Sequence, residues 1–416
     1  MRAEIICIGT ELLLGQIVDT NAAFLAQELA GLGIDLYHKT TVGDNLERAV
    51  AALRHAWDRS EILIVSGGLG PTQDDLTREA VAALIGEELE FNPEAWEQVT
   101  AYFRKAQRPL PESNRRQAMF PRSGQIIPNP FGTAPGLLVE SQDHYLAALP
   151  GVPYELKGIW GATLRRYFQN VLAAEGNPIL TSRTLRMVGI GEAAMEEQVI
   201  DLIQTQTNPT IAPYAGRGEV SLRITAKGNN EAENQAVIAA MVEQVSERLG
   251  QYIYGYDADN LESAIGRLLL QRGWKLALAE SCTGGLMAHR ITNIPGSSAY
   301  YLGGVNSYSN GLKTGLLGVT QAILQAHGAV SPETAQAMAA GIRRVTGAEV
   351  GLSATGIAGP DGGSSDKPVG LVYLGVEGPG FSRVEKRIFP LDRIGNKESA
   401  AQAGLVLLWQ ALQQSE

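Results

Sequence analysis

At 416 residues the chain is too long for one ordinary hydrophobic core, so we expect two or three domains. Its formal net charge of −10 argues against broad non-specific binding to nucleic acid, which needs a field of Lys and Arg. The two cysteines, Cys7 and Cys282, lie in apolar, strand-like segments, which argues against a disulfide framework or a cysteine-based zinc site and favours a reducing, cytoplasmic location. The first residues lack the features of a signal peptide and no segment is long enough to span a bilayer, so we expect no membrane partner.

The first predicted region, residues 1–170, alternates strand and helix patterns. Apolar runs predict strands at 4–8, 36–42 and 61–66, and helical periodicity occurs at 21–32, 46–57, 77–85, 93–104 and 153–168. Short strands broken by Pro and Gly are predicted between residues 125 and 150. Repeated β–α–β units predict an α/β sandwich with a mainly parallel sheet and helices on both faces.

Two further regions follow. Residues 171–256 alternate predicted strands (180–188, 210–215, 219–226 and 252–254) with helices at 192–204 and 230–249, which indicates a small α+β domain. Residues 257–416 begin with a predicted helix and a strand at 276–280. A strand at 301–308, two short helices and a long helix capped by Ser331 follow. The region ends with strands at 350–354, 370–376 and 382–388 and a helix from residue 397. The pattern predicts a second α/β unit with a mixed sheet.

The densest group of chemically useful residues in the first region is SGGLGPTQDDLT, residues 66–77. The segment follows a buried strand, so the amides of Gly67 and Gly68 should face the carboxyl edge of the sheet, where α/β proteins usually bind ligands. Glycines let phosphate oxygens approach such amides closely, and Asp74 and Asp75 would suit a divalent cation that bridges carboxylate and phosphate. The alternative is a turn whose carboxylates only interact with the dipole of the next helix.

Polar turns also follow the other predicted strands of this region, at residues 9–21, 42–45 and 150–155. Each turn alone is weak evidence, and Asp19 could serve only as a helix cap. Because turns after parallel strands meet at one edge of a sheet, together they favour one shared ligand site.

These segments resemble the molybdopterin-binding fold of MogA- and MoaB-type proteins and, more closely, the N-terminal domain of the CinA (competence/damage-inducible) family. The resemblance implies binding of a nucleotide or pterin phosphate, and in CinA proteins this domain is associated with metal-dependent hydrolysis of ADP-ribose. The residues that it implies for nucleotide binding are Gly9, Gly67, Gly68, Gly70, Asp74, Pro150 and Gly151. Those that it implies for a divalent cation of unknown identity are Asp19, Asp44, Asp75 and Glu155. The alternative is a pterin- or nucleotide-binding module without turnover.

The middle region contains a tight turn within YAGRGEVSLRI, residues 214–224. CinA proteins have a KH-like domain at this place, which implies a small α+β fold. A KH domain clamps nucleic acid with a G-x-x-G segment that joins two helices, and no such segment between basic residues is present in the sequence. We therefore expect a spacer or a dimerisation module of a homodimer, and no nucleic-acid partner.

The last region contains AESCTGG, in which Ser281 follows the strand pattern LALAE and residues 283–285 begin the next helix. Backbone amides at such a turn can stabilise a developing oxyanion. A serine hydroxyl also needs a base, and the five histidines give no obvious arrangement for one. Lys313 is the alternative base if burial keeps it neutral, with Tyr308 between the two side chains as a relay. The competing interpretation is a solvent-facing lysine on a short helix.

A glycine-rich segment, SATGIAGPDGGSSDKPVG, follows another strand at residues 353–370. It fits closure over a phosphate or ribose, with Lys367 available for charge. An ordinary surface loop can have the same composition.

The segments of the last region resemble the C-terminal domain of the CinA family, the nicotinamide-nucleotide amidase PncC, so the resemblance extends over nearly the whole chain. It implies hydrolysis of nicotinamide mononucleotide (NMN) to nicotinic acid mononucleotide and ammonia, without a cofactor, through Ser281, Tyr308 and Lys313, with Cys282 a buried bystander. The substrate-binding residues that it implies are Thr283, Gly284, Gly285, Asn310, Thr355, Gly356, Ala358, Gly359 and Lys367. The alternative to a two-site salvage enzyme is an accessory protein of DNA uptake or repair, which the acidic composition does not support.

Overall fold

A computed structural model describes residues 1–141, 143–176, 178–216 and 218–414 of the protein. The chain forms two compact units, one of Met1–Thr181 with Ala226–Ala236 and one of Ser182–Thr225 with Val237–Glu416. No helix among the described residues is long and apolar enough to cross a membrane.

The N-terminal region is an α/β sandwich. Its elements in chain order are β1 (Arg2–Ile8), α1 (Thr10–Leu13), α2 (Thr20–Leu32), β2 (Asp35–Val42), α3 (Leu46–Trp57), β3 (Ile62–Ser66), α4 (Thr77–Ile85), β4 (Leu89–Phe91), α5 (Pro93–Lys105), β5 (Met119–Pro121), β6 (Gln125–Ile127), β7 (Gly136–Ser141), β8 (His144–Leu149), α6 (Pro153–Ile159) and α7 (Arg165–Ala174). The main sheet has the order β2-β1-β3-β8-β7-β6. Strands β2, β1, β3 and β8 are parallel to one another, and β7 pairs antiparallel with both β8 and β6.

Both faces of this sheet are covered by helices, as the sequence predicts. Side chains of β1 alternate between faces: Ile5 packs in one cluster with α2, α6 and α7, and Ile6 packs in another with α3, α4 and α5. The strand ends are in register, since Cys7 pairs with Ser66, which pairs with Leu149. The loops after β1, β3 and β8 therefore leave the sheet at one edge.

The middle region contains β9 (Ile179–Met187), α8 (Glu192–Thr205), β10 (Thr210–Gly216), β11 (Glu219–Gly228), α9 (Glu231–Leu249) and β12 (Ile253–Tyr256). Its four-stranded sheet has the order β10-β11-β9-β12. The predicted tight turn joins the antiparallel strands β10 and β11, and its Arg217 lies outside the described residues. The small α+β fold is confirmed.

The C-terminal region is the second α/β unit. It contains α10 (Leu261–Arg272), β13 (Leu276–Glu280), α11 (Leu286–Thr292), β14 (Tyr301–Asn306), α12 (Asn310–Gly315), α13 (Gln321–His327), α14 (Pro332–Thr346), β15 (Val350–Gly356), β16 (Leu371–Gly378), β17 (Phe381–Ile388) and α15 (Arg393–Gln414). The sheet order is β14-β13-β15-β16-β17, in which β14, β13 and β15 are parallel and β16 and β17 antiparallel. The predicted mixed sheet is confirmed. Glu280 pairs with both Asn306 and Ala354, so three parallel strands end side by side.

Two helices differ from the sequence prediction. The helix predicted over 153–168 contains one π-helical turn at Trp160–Leu164 and continues as α7 to Ala174. An inserted residue of this kind leaves the apolar pattern almost unchanged, so periodicity does not reveal it. The last helix begins at Arg393, four residues before the predicted start, because Asp392 accepts a hydrogen bond from the Gly395 amide (2.7 Å) and caps it. The helix-unfavourable Gly395 and Asn396 hide this start in the sequence.

Candidate functional sites

The N-terminal region has a cavity of about 560 Å³ at the carboxyl edge of its parallel strands. Every residue predicted for nucleotide or cation binding in this region lines it: Gly9, Asp19, Asp44, Gly67, Gly68, Gly70, Asp74, Asp75, Pro150, Gly151 and Glu155. The structure thus brings together residues that are far apart in the sequence, because the strands that precede them end in register.

The glycine loop after β3 lines this cavity. Gly67 and Gly68 adopt positive φ angles of 101° and 65°, a conformation that other residues adopt only at a cost. A Cβ atom at Gly67 would also overlap the carbonyl oxygen of Ile8. The backbone approaches β1 closely at this point, so only glycine fits.

The carboxylates of the cavity are each held by neighbouring donors. Asp19 Oδ1 accepts a hydrogen bond from the Ala22 amide (2.8 Å) and so caps α2, while its role toward a cation stays a prediction. Asp44 Oδ2 accepts from the Thr10 amide (2.8 Å) and Asp75 Oδ2 from the Thr72 amide (2.8 Å).

Glu155 is a partly buried acid of this cavity. Burial raises its pKa, and a hydrogen bond from Asn129 Nδ2 (2.6 Å) to Glu155 Oε2 opposes the shift. A carboxyl group in this setting keeps a proton to higher pH than an exposed glutamate does.

These acids do not form a complete metal site by themselves. In the part of the chain that the structure describes, no group of three or more His, Cys, Asp or Glu side chains could hold a metal ion. The donors present are hard carboxylate oxygens, which suit Mg²⁺, an ion usually bound by one or two carboxylates together with substrate phosphates and water. The residues fit a cation whose remaining ligands come from a bound nucleotide.

The C-terminal region has a second cavity, of about 270 Å³, at the ends of β13, β14 and β15. Lys313 on α12 is buried there, only 2% exposed, and its Nζ lies 3.0 Å from Ser281 Oγ. Nζ also donates a hydrogen bond to the Ser307 carbonyl oxygen (2.6 Å). The competing interpretation of a solvent-facing lysine is therefore wrong.

The local backbone explains how Lys313 reaches the serine. Ser309 Oγ accepts from the Leu312 amide (3.2 Å) and caps the short helix α12, so that Lys313 lies one turn inside it. Ser281 is fixed at the other side by its amide, which donates to the Ala354 carbonyl oxygen of β15 (3.0 Å). Burial lowers the pKa of Lys313, which favours the neutral amine that a base requires.

Cys282 lines the same cavity, but its thiol is a poor nucleophile. The residue is 7% exposed, and burial raises the pKa of its thiol to about 12. Because the thiolate is the reactive form, Cys282 stays unreactive near neutral pH.

Tyr308 lines the cavity without standing between the serine and the lysine, so the predicted relay geometry is wrong. Its side chain is largely exposed, and its Oη accepts a hydrogen bond from Arg393 Nη2 (3.0 Å). Arg393 Nη1 also donates to the Gly359 carbonyl oxygen, which links Tyr308 to the glycine-rich loop. The sequence does not single out Arg393, because the start of α15 is hidden.

The predicted substrate-binding residues divide into two groups. Asn310, Thr355, Gly356, Ala358 and Gly359 line the cavity with Ser281. Thr283, Gly284 and Gly285 line a different cavity of about 310 Å³, together with His289 and Lys397. Lys367 lines neither, because its Nζ donates to the carbonyl oxygens of His327 (2.7 Å) and Val330 (2.8 Å) and ties two loops together.

Three amides at the start of α11 are occupied by a buried carboxylate, and Gly285 is the predicted binding residue among them. The Glu280 carboxylate accepts hydrogen bonds from the amides of Gly285 (3.0 Å), Met287 (3.2 Å) and Ala288 (2.9 Å). Glu280 is only 2% exposed, and a buried carboxylate needs such donors. An acidic residue at the end of a buried strand, just before a Gly-Gly helix start, was the available sequence signal.

Comparison with known proteins gives three family matches and relatives of full length. Residues 4–170 match the "Probable molybdopterin binding domain", residues 182–255 the "Damage-inducible protein CinA KH domain" and residues 258–412 the "CinA C-terminal domain". A competence-damage inducible protein of Moorella thermoacetica is 48% identical over 412 residues, 99% of both chains. One of Halothermothrix orenii is 45% identical over 413 residues, again 99% of both chains. Among solved structures, the protein CinA of unknown function from Thermoplasma acidophilum is 35% identical, covering 40% of this chain and 96% of that one, with a TM-score of 0.38.

Proposed function

The chain belongs to the competence-damage inducible (CinA) protein family, and from this premise we propose that it is an enzyme with two hydrolytic sites for pyridine nucleotides. The C-terminal site hydrolyses the carboxamide of NMN, and the N-terminal site hydrolyses the pyrophosphate bond of ADP-ribose. The observation that supports the first activity most directly is the buried contact of 3.0 Å between Lys313 Nζ and Ser281 Oγ.

The amidase reaction is an acyl transfer in two stages. Ser281 Oγ attacks the carboxamide carbon while neutral Lys313 accepts the hydroxyl proton. Lys313 then returns this proton to the leaving nitrogen, the C–N bond breaks, and ammonia departs from a serine ester. Water attacks the ester while Lys313 accepts the water proton, and Lys313 then gives this proton to Ser281 Oγ as the C–O bond breaks, which releases nicotinic acid mononucleotide and restores the Ser281 hydroxyl.

Backbone amides next to the nucleophile are the proposed donors to the oxyanion. Glu280 occupies the amides of Gly285, Met287 and Ala288, but among the described residues the amides of Cys282 and Thr283 make no backbone hydrogen bond. Preorganised amides next to the nucleophile are the usual form of an oxyanion hole. No metal or cofactor is needed for these steps.

The experiment that tests the amidase is ammonia release from NMN. We expect activity in the wild-type protein, a loss of at least about thousandfold in Ser281→Ala, and near wild-type activity in the matched variant Cys282→Ala. Full activity in Ser281→Ala with loss in Cys282→Ala would assign the nucleophile to the thiol instead. No ammonia from wild-type protein would reject the amidase.

The N-terminal activity is supported by the cavity of about 560 Å³ that combines a glycine loop with several carboxylates. Loop amides suit the pyrophosphate of ADP-ribose, since backbone N–H groups in such a loop bind anionic oxygen. Asp44 and Asp75 are the proposed protein ligands of a divalent cation, which would neutralise phosphate charge. Asp19 and Glu155 would orient groups from the cavity wall.

Incubation with ADP-ribose, with and without a chelator, tests this second activity. We expect AMP to form only when a divalent cation is present. Binding of ADP-ribose without turnover would instead favour a binding module, the main alternative for this region. The homodimer is a further part of the proposal, and sedimentation at several protein concentrations tests it.

A further inference from the structure

Arg78 is an arginine buried directly beneath the glycine loop of the N-terminal cavity. It lies in the first turn of α4 and is 1% exposed. Asp75 and Glu79 favour its charge, but neither forms an ion pair with it among the described residues, and Glu79 pairs with Arg116 instead. Burial of a guanidinium without a carboxylate partner is costly, so its presence calls for an explanation in terms of what it holds.

The guanidinium binds two consecutive carbonyl groups of the loop. Nη1 donates to the Leu69 oxygen (2.8 Å) and Nη2 to the Gly70 oxygen (2.8 Å). The neighbouring Thr77 continues this pattern: its Oγ1 donates to the Gly67 oxygen (2.7 Å) and its amide to the Gly68 oxygen (3.1 Å). Four successive carbonyls, from residue 67 to residue 70, are thus held by two residues of α4.

Fixing these carbonyls also fixes the amides. In a trans peptide the C=O and N–H bonds of one unit point in opposite directions, and the peptide bonds of this loop are trans. The amides of Gly68, Leu69 and Gly70 must therefore point away from α4. These three residues line the cavity, and within the described part of the chain their amides make no backbone hydrogen bond.

We propose that Arg78 is a positioning residue, which turns the amides of Gly68, Leu69 and Gly70 into the cavity so that they bind the phosphate oxygens of a nucleotide. The inference rests on the proposed nucleotide-binding function of this site. Arg78 itself does not line the cavity and does not touch the ligand. Its charge beneath the loop adds a favourable field for an anion, and its planar fork offers two separate nitrogens to two consecutive carbonyls, whereas a lysine would have to reach both with one nitrogen.

The test compares Arg78→Met and Arg78→Lys with wild-type full-length protein by titration calorimetry with ADP-ribose and, separately, with inorganic pyrophosphate. We expect Arg78→Met to weaken both affinities by about 10- to 100-fold. Arg78→Lys keeps the charge and can hold one carbonyl, so its affinities should lie between those of Arg78→Met and wild type. Arg165→Met is the matched control, because it removes an exposed guanidinium paired with Glu28 in the same region. Its affinities should equal those of wild type.

Thermal unfolding followed by circular dichroism checks that the N-terminal unit of each variant is folded. Wild-type affinity for both ligands in a folded Arg78→Met protein would overturn the inference. If Arg78→Met does not fold, Thr77→Val replaces it, with Thr77→Ser as its control; equal affinities in these two variants would likewise overturn the inference.

If wild type binds pyrophosphate but not ADP-ribose, the proposed substrate is wrong, while the role of Arg78 is still measured with pyrophosphate. If wild type binds neither ligand, both the nucleotide site and the inference are rejected.

Discussion

The two cavities differ in how much of their chemistry is complete before a ligand arrives. At the C-terminal site, Ser281 and Lys313, the proposed nucleophile and base, are both buried and already in contact, at 3.0 Å. At the N-terminal site, the carboxylates of Asp44 and Asp75 are only partly buried, are spread around the wall, and do not form a metal site alone. A serine has to be activated by the protein itself, whereas phosphate binding can be completed by the ligand and a cation. Each prediction below tests this contrast.

The largest effect is expected for Lys313→Met, which removes the base and keeps an apolar chain of similar length. Amidase kcat/KM should fall by about 10²- to 10⁴-fold, since general-base catalysis contributes that much. ADP-ribose hydrolysis should not change. Lys386→Met, an exposed position on β17, is the matched control and should keep amidase activity. Equal activity in both variants would show that the preformed contact is not catalytic.

Asp75→Asn is expected to affect only the N-terminal site, the reverse of Lys313→Met. The amide oxygen of asparagine can still accept the hydrogen bond from Thr72, but the charge that a cation needs is lost. AMP formation from ADP-ribose should fall roughly 10- to 100-fold, partly restored by excess cation, while ammonia release from NMN stays constant. Asp58→Asn, at an exposed helix end, is the control and should leave both rates unchanged.

The pH dependence should distinguish the buried base from an ordinary lysine. Burial lowers the pKa of Lys313, and the neutral form is the active one, so amidase kcat/KM should rise with pH and level off. The rise is about tenfold per pH unit below the midpoint, and the midpoint should lie below the usual lysine value of about 10.4. Kinetics from pH 5 to pH 10 with NMN measure it. A rate that falls with rising pH over this range would contradict a lysine base.

The smallest effect is expected for Tyr308→Phe. The Tyr308 hydroxyl accepts one hydrogen bond from Arg393 at the rim and touches neither Ser281 nor Lys313 among the described contacts. Loss of one partly exposed hydrogen bond should lower amidase kcat/KM by less than about tenfold, mainly through KM. A loss in kcat as large as that of Lys313→Met would show that Tyr308 moves into the proton path when substrate binds.

The sequence predicts well which residues lie at the ends of parallel strands. Residues that follow parallel strands meet at one edge, so Gly9, Gly67 and Pro150 were predicted to share a site, and they line one cavity. The prediction that Ser281 directly follows a strand is likewise confirmed, since β13 ends at Glu280. Fold class follows from equally local patterns, since buried apolar runs and helical periodicity repeat along both α/β regions.

Contacts that depend on the direction of a side chain are harder to predict from the sequence. Buried Lys313 donates a hydrogen bond from its Nζ to the Ser307 carbonyl oxygen, and no spacing rule in the sequence predicts that contact. Glu280 turns back over the start of α11 and occupies the amides that the motif seemed to offer. Arg393 is missed because the start of its helix contains residues that disfavour helices.

The backbone around the proposed amidase site forms a continuous ladder. Glu280, Asn306 and Ala354 lie side by side in the sheet, and the Ser281 amide bonds directly to the Ala354 carbonyl. The position of Ser281 is therefore set by the hydrogen-bond ladder of the central strands, while Lys313 reaches it from α12. Under the proposed function, NMN hydrolysis should be lost under denaturant no later than the opening of that ladder, so turnover would report on the cooperative unfolding of the sheet.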